Sequence, residues 1–207
     1  YAGDSLLSDP PVPISGVCLD TMMEPGVIAD GSKRSTCFQD ALTRARGYGI
    51  KRIILPFLEN ASLRGFNHEL LLGIFGAQFA STVATGLVLS LETDLAAADL
   101  VSLLALMGPG VRVTFDIGNL TKLGYDLDEH IDSYGHMIDN VHIKDCLIGG
   151  HTVPLGTGDA NLSCLHRLIK LPNVEAVSFQ TARNVGLTES AIYSYNLAVV
   201  ERVLNGA

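Results

Sequence analysis

Six short runs of apolar residues, rich in β-branched side chains, recur along the chain and predict six β-strands. The runs are continuous rather than alternating with polar residues, which is typical of strands buried on both faces, as in parallel sheets. They comprise residues 13–19, 52–57, 86–91, 111–115, 140–143 and 174–179.

Between these runs, apolar residues recur with the spacing of amphipathic helices. Residues 36–48 place Phe38 and Leu42 on one face, and Ser32 and Ser35 just upstream are the expected N-caps. The predicted helices comprise residues 36–48, 69–85, 95–106, 127–138, 162–171 and 189–204.

A strand followed by a helix is therefore the repeating unit, and the repeat predicts a parallel sheet with right-handed crossovers. Two architectures fit this pattern. The chain forms either six of the eight units of a TIM barrel or a doubly wound open sheet of six strands. No glycine-rich phosphate-binding loop follows the first strand, which disfavours the nucleotide-binding version of the open sheet.

Composition narrows the functional class. The chain has 207 residues, 47% hydrophobic and 17% charged, which suits one folded domain, residues 1–207. A net charge of −8 without a Lys/Arg run argues against nucleic acid as a partner. Four cysteines without a CxxC pair do not suggest structural zinc. With no secretory signal or membrane span in view, we expect a cytoplasmic protein that does not bind membranes, and a homo-oligomer is compatible with the sequence.

Polar residues end the predicted strands, and in a parallel α/β fold these ends meet at one mouth. Four successive strands end in Glu92, Asp116, His142 and Gln180. Two carboxylates, one imidazole and one amide oxygen suit one divalent ion, which we expect to be Mn²⁺, Mg²⁺, Co²⁺ or Zn²⁺. Glu59 ends the second strand. The alternative is a set of polar residues with a purely structural role.

Several of these segments together resemble the sugar phosphate isomerase/epimerase family of xylose-isomerase-like TIM barrels. The resemblance rests on Leu-Glu-Thr-Asp at 91–94, Phe-Asp-Ile-Gly-Asn at 115–119, and above all the run from His142 to Gly158. It implies a (β/α)8 barrel, an α/β fold of which this chain holds about six βα units. The first two strands are then expected to precede Tyr1.

The resemblance also implies roles for individual residues. The family's Glu, Asp, His and Glu ligands fall on the four strand-end positions, so Gln180 replaces a glutamate that serves the epimerases as one of two bases. Glu92 is expected to be both ligand and catalytic base. Glu59 is the first candidate for a second acid/base, with Asp145 and Lys144 as alternatives; the other alternative is a reaction that needs only one base.

Further residues are expected to contact substrate. The family's epimerases have a histidine at the position of Asn119, which is a candidate for binding substrate. The remaining candidates are Lys144, His151 and Arg183, of which Lys144 and Arg183 would bind an anionic group.

The function implied is that of a metal-dependent isomerase or epimerase that acts on a small sugar, sugar phosphate or polyol through an enediolate. Three alternatives stay open. A lyase or dehydratase would use the same enolate chemistry, and a non-catalytic sugar- or metal-binding barrel would fit the loss of a second base. An endonuclease IV-like repair enzyme is disfavoured, because its three-zinc cluster needs more histidines than the predicted mouth offers.

Overall fold

The computed structural model describes residues 13–182 and 186–206, which form two compact units. The first unit runs to Leu95 and includes Ser102–Arg112; the second comprises Ala96–Val101 and the residues from Val113 onward. The strands are β1 (Val17–Cys18), β2 (Arg52–Phe57), β3 (Val88–Thr93), β4 (Val111–Asp116), β5 (Ile138–Ile143), β6 (Asp145–Cys146), β7 (Thr152–Val153) and β8 (Ala176–Phe179). The α-helices are α1 (Gly31–Gly47), α2 (His68–Val83), α3 (Ala97–Met107), α4 (Ile117–Lys122), α5 (Leu127–Tyr134), α6 (Leu165–Leu168) and α7 (Glu189–Asn205).

The first unit is built on three parallel strands. β1 pairs with β2, and β2 pairs with β3 along its full length, so that Pro56 is the register partner of Glu92. Every residue of β2 is buried, as its unbroken apolar run predicts. Four phenylalanines form the core beside these strands, with neighbouring ring centroids 5.4–6.2 Å apart: Phe38, Phe57, Phe75 and Phe79.

Helix α1 begins earlier than the sequence pattern indicates. Asp30 is its N-cap, and its carboxylate accepts hydrogen bonds from the backbone N–H groups of Ser32 and Lys33. Ser32 therefore lies within the first turn, and the prediction that Ser32 and Ser35 cap the helix was wrong. Aspartate accepts these bonds as well as serine does, and its negative charge also favours a helix N-terminus.

The second unit contains the other parallel strands and most of the short helices. β4 pairs with β5, and β5 pairs with β8. Helix α5 places Tyr134 in the core, where its ring lies 6.4 Å from that of Phe115. His130 is buried on the same helix, and its Nδ1 lies 2.7 Å from the hydroxyl oxygen of Tyr134.

The predicted architecture is confirmed, with shifted boundaries. The six strands β1 to β5 and β8 belong to a parallel sheet whose order follows the chain. The structure adds an antiparallel ribbon, β6 with β7, that was not predicted because each strand has only two residues. Predicted helix 162–171 is reduced to a 3-10 turn and the single-turn helix α6. Among the described residues, no helix combines the length and apolar character that crossing a bilayer requires.

Candidate functional site

Asp116 and His142 occupy equivalent positions at the carboxyl ends of two adjacent strands. They are register partners in the pairing of β4 with β5, and both are buried. The distance between Asp116 Oδ2 and His142 Nδ1 is 3.7 Å. The strand-end pattern that predicted both residues as ligands therefore corresponds to side chains that lie together.

The two carboxylate oxygens of Asp116 have different surroundings. Oδ1 accepts a hydrogen bond from the backbone N–H of Asn119 at 2.8 Å and so caps helix α4. Oδ2 is buried and accepts no hydrogen bond from the residues that the structure describes. A buried oxygen of this kind is costly unless a cation or donor accompanies it. One oxygen therefore fixes the side chain, and the other, which lies 3.5 Å from the Lys144 ammonium, is suited to a cation.

Asn140 holds the imidazole ring of His142 in place. Its side-chain amide lies 3.1 Å from His142 Nε2 and 3.4 Å from Thr114 Oγ1. With this contact at Nε2, the Nδ1 atom is the ring nitrogen on the side of Asp116. The amide nitrogen of Asn140 can only donate, so in this contact Nε2 accepts and the neutral ring carries its proton on Nδ1. Metal ligation through Nδ1 requires the Asn140 amide to turn, so that its oxygen accepts a hydrogen bond from Nε2–H.

The ammonium group of Lys144 contacts three of the predicted site residues. Its ammonium Nζ lies 2.9 Å from Asn119 Oδ1, 3.1 Å from Gln180 Oε1 and 3.5 Å from Asp116 Oδ2. Gly118 makes this arrangement possible, because a Cβ at that position would lie 2.6 Å from Lys144 Cγ. The predicted substrate-binding pair Lys144 and Asn119 is therefore adjacent to the carboxylate of Asp116, and the amide oxygen of Gln180 is bonded to the same ammonium.

Asp145 organises the loop that follows β5. Its Oδ2 accepts hydrogen bonds from the backbone N–H groups of Gly156 and Gly158, and its Oδ1 accepts one from Ala160. A carboxylate bonded in this way is a structural group, and Asp145 is no longer a candidate acid/base. His151 belongs to the same loop and is exposed.

The two predicted catalytic glutamates belong to the first unit. Glu92 is buried at the end of β3, with 2% of its surface exposed. Glu59 is exposed and begins a 3-10 turn directly after β2, with a φ of 51° that is uncommon for a residue other than glycine. Arg183, predicted to bind an anion, lies outside the described residues.

One ion pair was not predicted, because the sequence reasoning included Asp94 in the run 91–94 but gave Arg64 no role. Asp94 lies two positions beyond Glu92 and is buried, and its Oδ2 lies 3.2 Å from Nε of Arg64. Arg64 follows no strand-end pattern, since it belongs to the loop after β2. The pair is recognised only in the structure, where this loop lies against the residue that follows β3.

Comparison with solved structures identifies the fold. A xylose isomerase domain protein from Planctomyces limnophilus matches with a TM-score of 0.71 at 17% identity, over 84% of this chain and 67% of that chain. A 3-keto-D-glucoside 4-epimerase from E. coli matches with a TM-score of 0.69 at 17% identity, over 91% and 79% of the two chains. The IolI protein, solved with a bound zinc atom, matches with a TM-score of 0.69 at 15% identity, over 84% and 70%.

These similarities confirm the predicted fold. The chain has the xylose isomerase-like TIM barrel fold, and its described residues form a partial barrel with six parallel strands. No protein-family model matches the sequence, and no curated protein matches it as a relative.

Proposed function

We propose that the protein is a metal-dependent isomerase or epimerase that acts on a small sugar, sugar phosphate or polyol. The observation that carries this proposal is the buried Asp116–His142 pair at adjacent strand ends, in which Asp116 Oδ2 accepts no hydrogen bond from any described residue. The xylose isomerase-like fold supports it, because the carboxyl ends of the strands are where such barrels hold their active sites.

Glu92, Asp116 and His142 are the proposed ligands of one divalent ion. Support comes from their chemistry: each is buried, and each offers a ligand atom suited to a shared ion. We propose Gln180 as a fourth ligand, since an amide oxygen that accepts one hydrogen bond keeps a second lone pair. The set suits Mn²⁺, Mg²⁺, Co²⁺ or Zn²⁺, and a bound ion would polarise the substrate carbonyl as a Lewis acid.

Side chains of the protein would transfer the protons and bind the substrate. Glu92 would remove the proton from the carbon next to the substrate carbonyl, which leaves an enediolate. Lys144 and Asn119 would bind a substrate oxygen, because the ammonium can donate to it while the amide can both donate and accept. Glu59 would return the proton, and His151 would contact the substrate; both side chains are exposed. Gln180 cannot take a proton, so one face of the substrate has no base there.

Solvent exchange tests this proposal. The protein is loaded with Mn²⁺ or Co²⁺ and incubated in deuterated water with a panel of ketoses and ketose phosphates. We expect deuterium at the carbon next to the carbonyl of one substrate, together with its isomer or epimer, as detected by NMR and mass spectrometry. A product that has lost water would show a lyase instead. Absence of both exchange and product across the panel would overturn the proposal.

A further inference from the structure

The loop after β2 carries a cation that none of the proposed roles uses. Arg64 contacts Asp94 through Nε, and its side chain remains 54% exposed, whereas that of Asp94 is 9% exposed. Guanidinium has five N–H donors in a planar fork, of which Nε supplies one. The two terminal nitrogens of Arg64 bond to none of the described residues, so four donors stay available to a ligand.

A small network fixes the position of this guanidinium. The hydroxyl of Ser62 donates to Asp94 Oδ1 at 2.9 Å and accepts a hydrogen bond from the backbone N–H of Arg64 at 3.2 Å. The side chain of Arg64 is therefore held by the buried carboxylate of Asp94. Its backbone N–H is held by Ser62, which is bonded to the same carboxylate. An arginine fixed by its Nε loses less side-chain entropy when its terminal nitrogens bind a ligand.

The network lies at the functional edge of the first unit. β2 and β3 are parallel with Phe57 opposite Thr93, so the loop after β2 and the residues after β3 meet at their carboxyl ends. Asp94 follows the proposed base Glu92 by two residues. The loop also begins at Glu59 with a positive φ, and backbone strain of this kind is concentrated at functional sites.

We infer that Arg64 is a substrate-binding residue that recognises a phosphate or carboxylate group, with Asp94 and Ser62 as its positioning residues. Planar bidentate pairing with a tetrahedral phosphate or a carboxylate is what a guanidinium fork with free terminal nitrogens does best. The inference rests on the proposed function and makes it more specific, because the substrate would then be a phosphorylated or acidic sugar rather than a neutral one. The rival explanation is that Arg64 only neutralises Asp94.

Anion binding separates these explanations without turnover. Inorganic phosphate and acetate are titrated by calorimetry into the wild-type chain, Arg64→Met, Arg64→Lys and Arg46→Met. Arg46 is exposed in the last turn of α1 and matches the charge change away from the loop. We expect Arg64→Met to weaken binding of one anion at least about tenfold and Arg64→Lys to weaken it several-fold, since lysine keeps the charge but not the fork.

The outcomes distinguish the anion and the two proposals. If Arg64→Met loses mainly the binding of phosphate, the substrate is a sugar phosphate. If it loses mainly the binding of acetate, the substrate is a sugar acid. Equal binding by wild type, Arg64→Met and Arg46→Met would overturn the inference. Arg64-dependent binding without any solvent exchange would uphold the anion site and count against the isomerase. Solvent exchange on neutral ketoses that is unchanged in Arg64→Met would support the isomerase and count against the anion site.

Discussion

The ammonium group of Lys144 lies 3.5 Å from Oδ2 of Asp116, the oxygen proposed to bind an ion. A positive charge at this distance competes with a divalent cation for the same carboxylate. Lys144→Met should therefore raise the affinity for Mn²⁺ or Co²⁺, on the order of tenfold. Lys170→Met, an equal charge change at an exposed position, should leave it unchanged. Calorimetric titration of the ion measures both, and weaker binding by Lys144→Met would mean that Lys144 organises the ligands instead.

Asp116→Asn should separate the two roles of this side chain. The amide oxygen can still accept the bond from the backbone N–H of Asn119, so helix α4 and the melting temperature should be nearly unaffected. Loss of the anionic ligand should lower the affinity for Mn²⁺ at least about a hundredfold. Asp126→Asn, at the N-cap of α5, is the matched control for charge and capping. Metal content that is the same in both variants would remove Asp116 from the ligand set.

Gln180→Glu should tighten metal binding, since a third carboxylate replaces a neutral ligand. With Glu92 and Asp116 the proposed ligands carry a charge of −2, and the variant would carry −3 against an ion of +2. Titration of Mn²⁺ or Co²⁺ into wild type and variant measures the change. Because Gln180 Oε1 is bonded to Lys144, the new carboxylate has a competing partner 3.1 Å away. Equal or weaker binding would show that residue 180 serves Lys144 and not the ion.

Stability should fall between pH 6.5 and 4 because of His130. Burial lowers the pKa of this imidazole to about 4 from its ordinary 6.5, against a weaker opposing effect of Asp126. The unfolded chain therefore binds the proton first as the pH falls, and the stabilisation present above pH 6.5 is lost toward pH 4, by at most about 3 kcal/mol. Urea unfolding at pH 7, 5.5 and 4.5 measures this loss.

The variants for this pH dependence are His130→Gln and His136→Gln. The first should flatten the profile, because a glutamine takes up no proton in this range. The second changes an exposed histidine and should keep the wild-type slope. If His130→Gln unfolds with the same dependence on pH as the wild type, the buried imidazole is not the group responsible.

Gly158→Ala should destabilise the loop that Asp145 organises. A Cβ at position 158 would lie 2.3 Å from Asp145 Oδ1 and 2.8 Å from the carbonyl oxygen of Cys146. To relieve these contacts, the Asp145 carboxylate must lose hydrogen bonds from backbone N–H groups. We expect this loss to lower the free energy of unfolding by about 1–3 kcal/mol. At Gly47 a Cβ would meet nothing within 4 Å, so Gly47→Ala should be neutral or slightly stabilising. Thermal unfolding of both variants provides the comparison.

The sequence predicted those parts of the site that follow from strand ends. Asp116 and His142 each stand where an apolar run stops, and parallel strands in adjacent positions bring such residues together. Lys144 lies two residues beyond His142 and is brought into the same region by this regularity. The proximity of these residues could be predicted without knowing the paths of the loops.

The rest depends on contacts between residues far apart in sequence, for which no local pattern exists. Lys144 meets Gln180 across 36 positions, and Asp145 bonds to the backbone of residues 11–15 positions later. Backbone donors carry no side-chain signature, so the structural use of Asp145 looks the same in sequence as a catalytic carboxylate. The pairing of Asp94 with Arg64 was missed for a similar reason, since it depends on the path of a loop.

Gly118 constrains the order in which this protein can change. Any larger residue at that position would displace the Lys144 side chain, whose Cγ and Cβ would lie 2.6 Å and 2.9 Å from the added carbon. A shorter residue at position 144 relieves the contact with Cγ but keeps the one with Cβ, and that step removes the ammonium from Asp116. A mutational path that begins at Gly118 passes through a crowded intermediate, whereas one that begins at Lys144 passes through an altered charge. The two positions are thus linked sterically as well as through the site, and a redesign of the ligand set has to treat them as a pair.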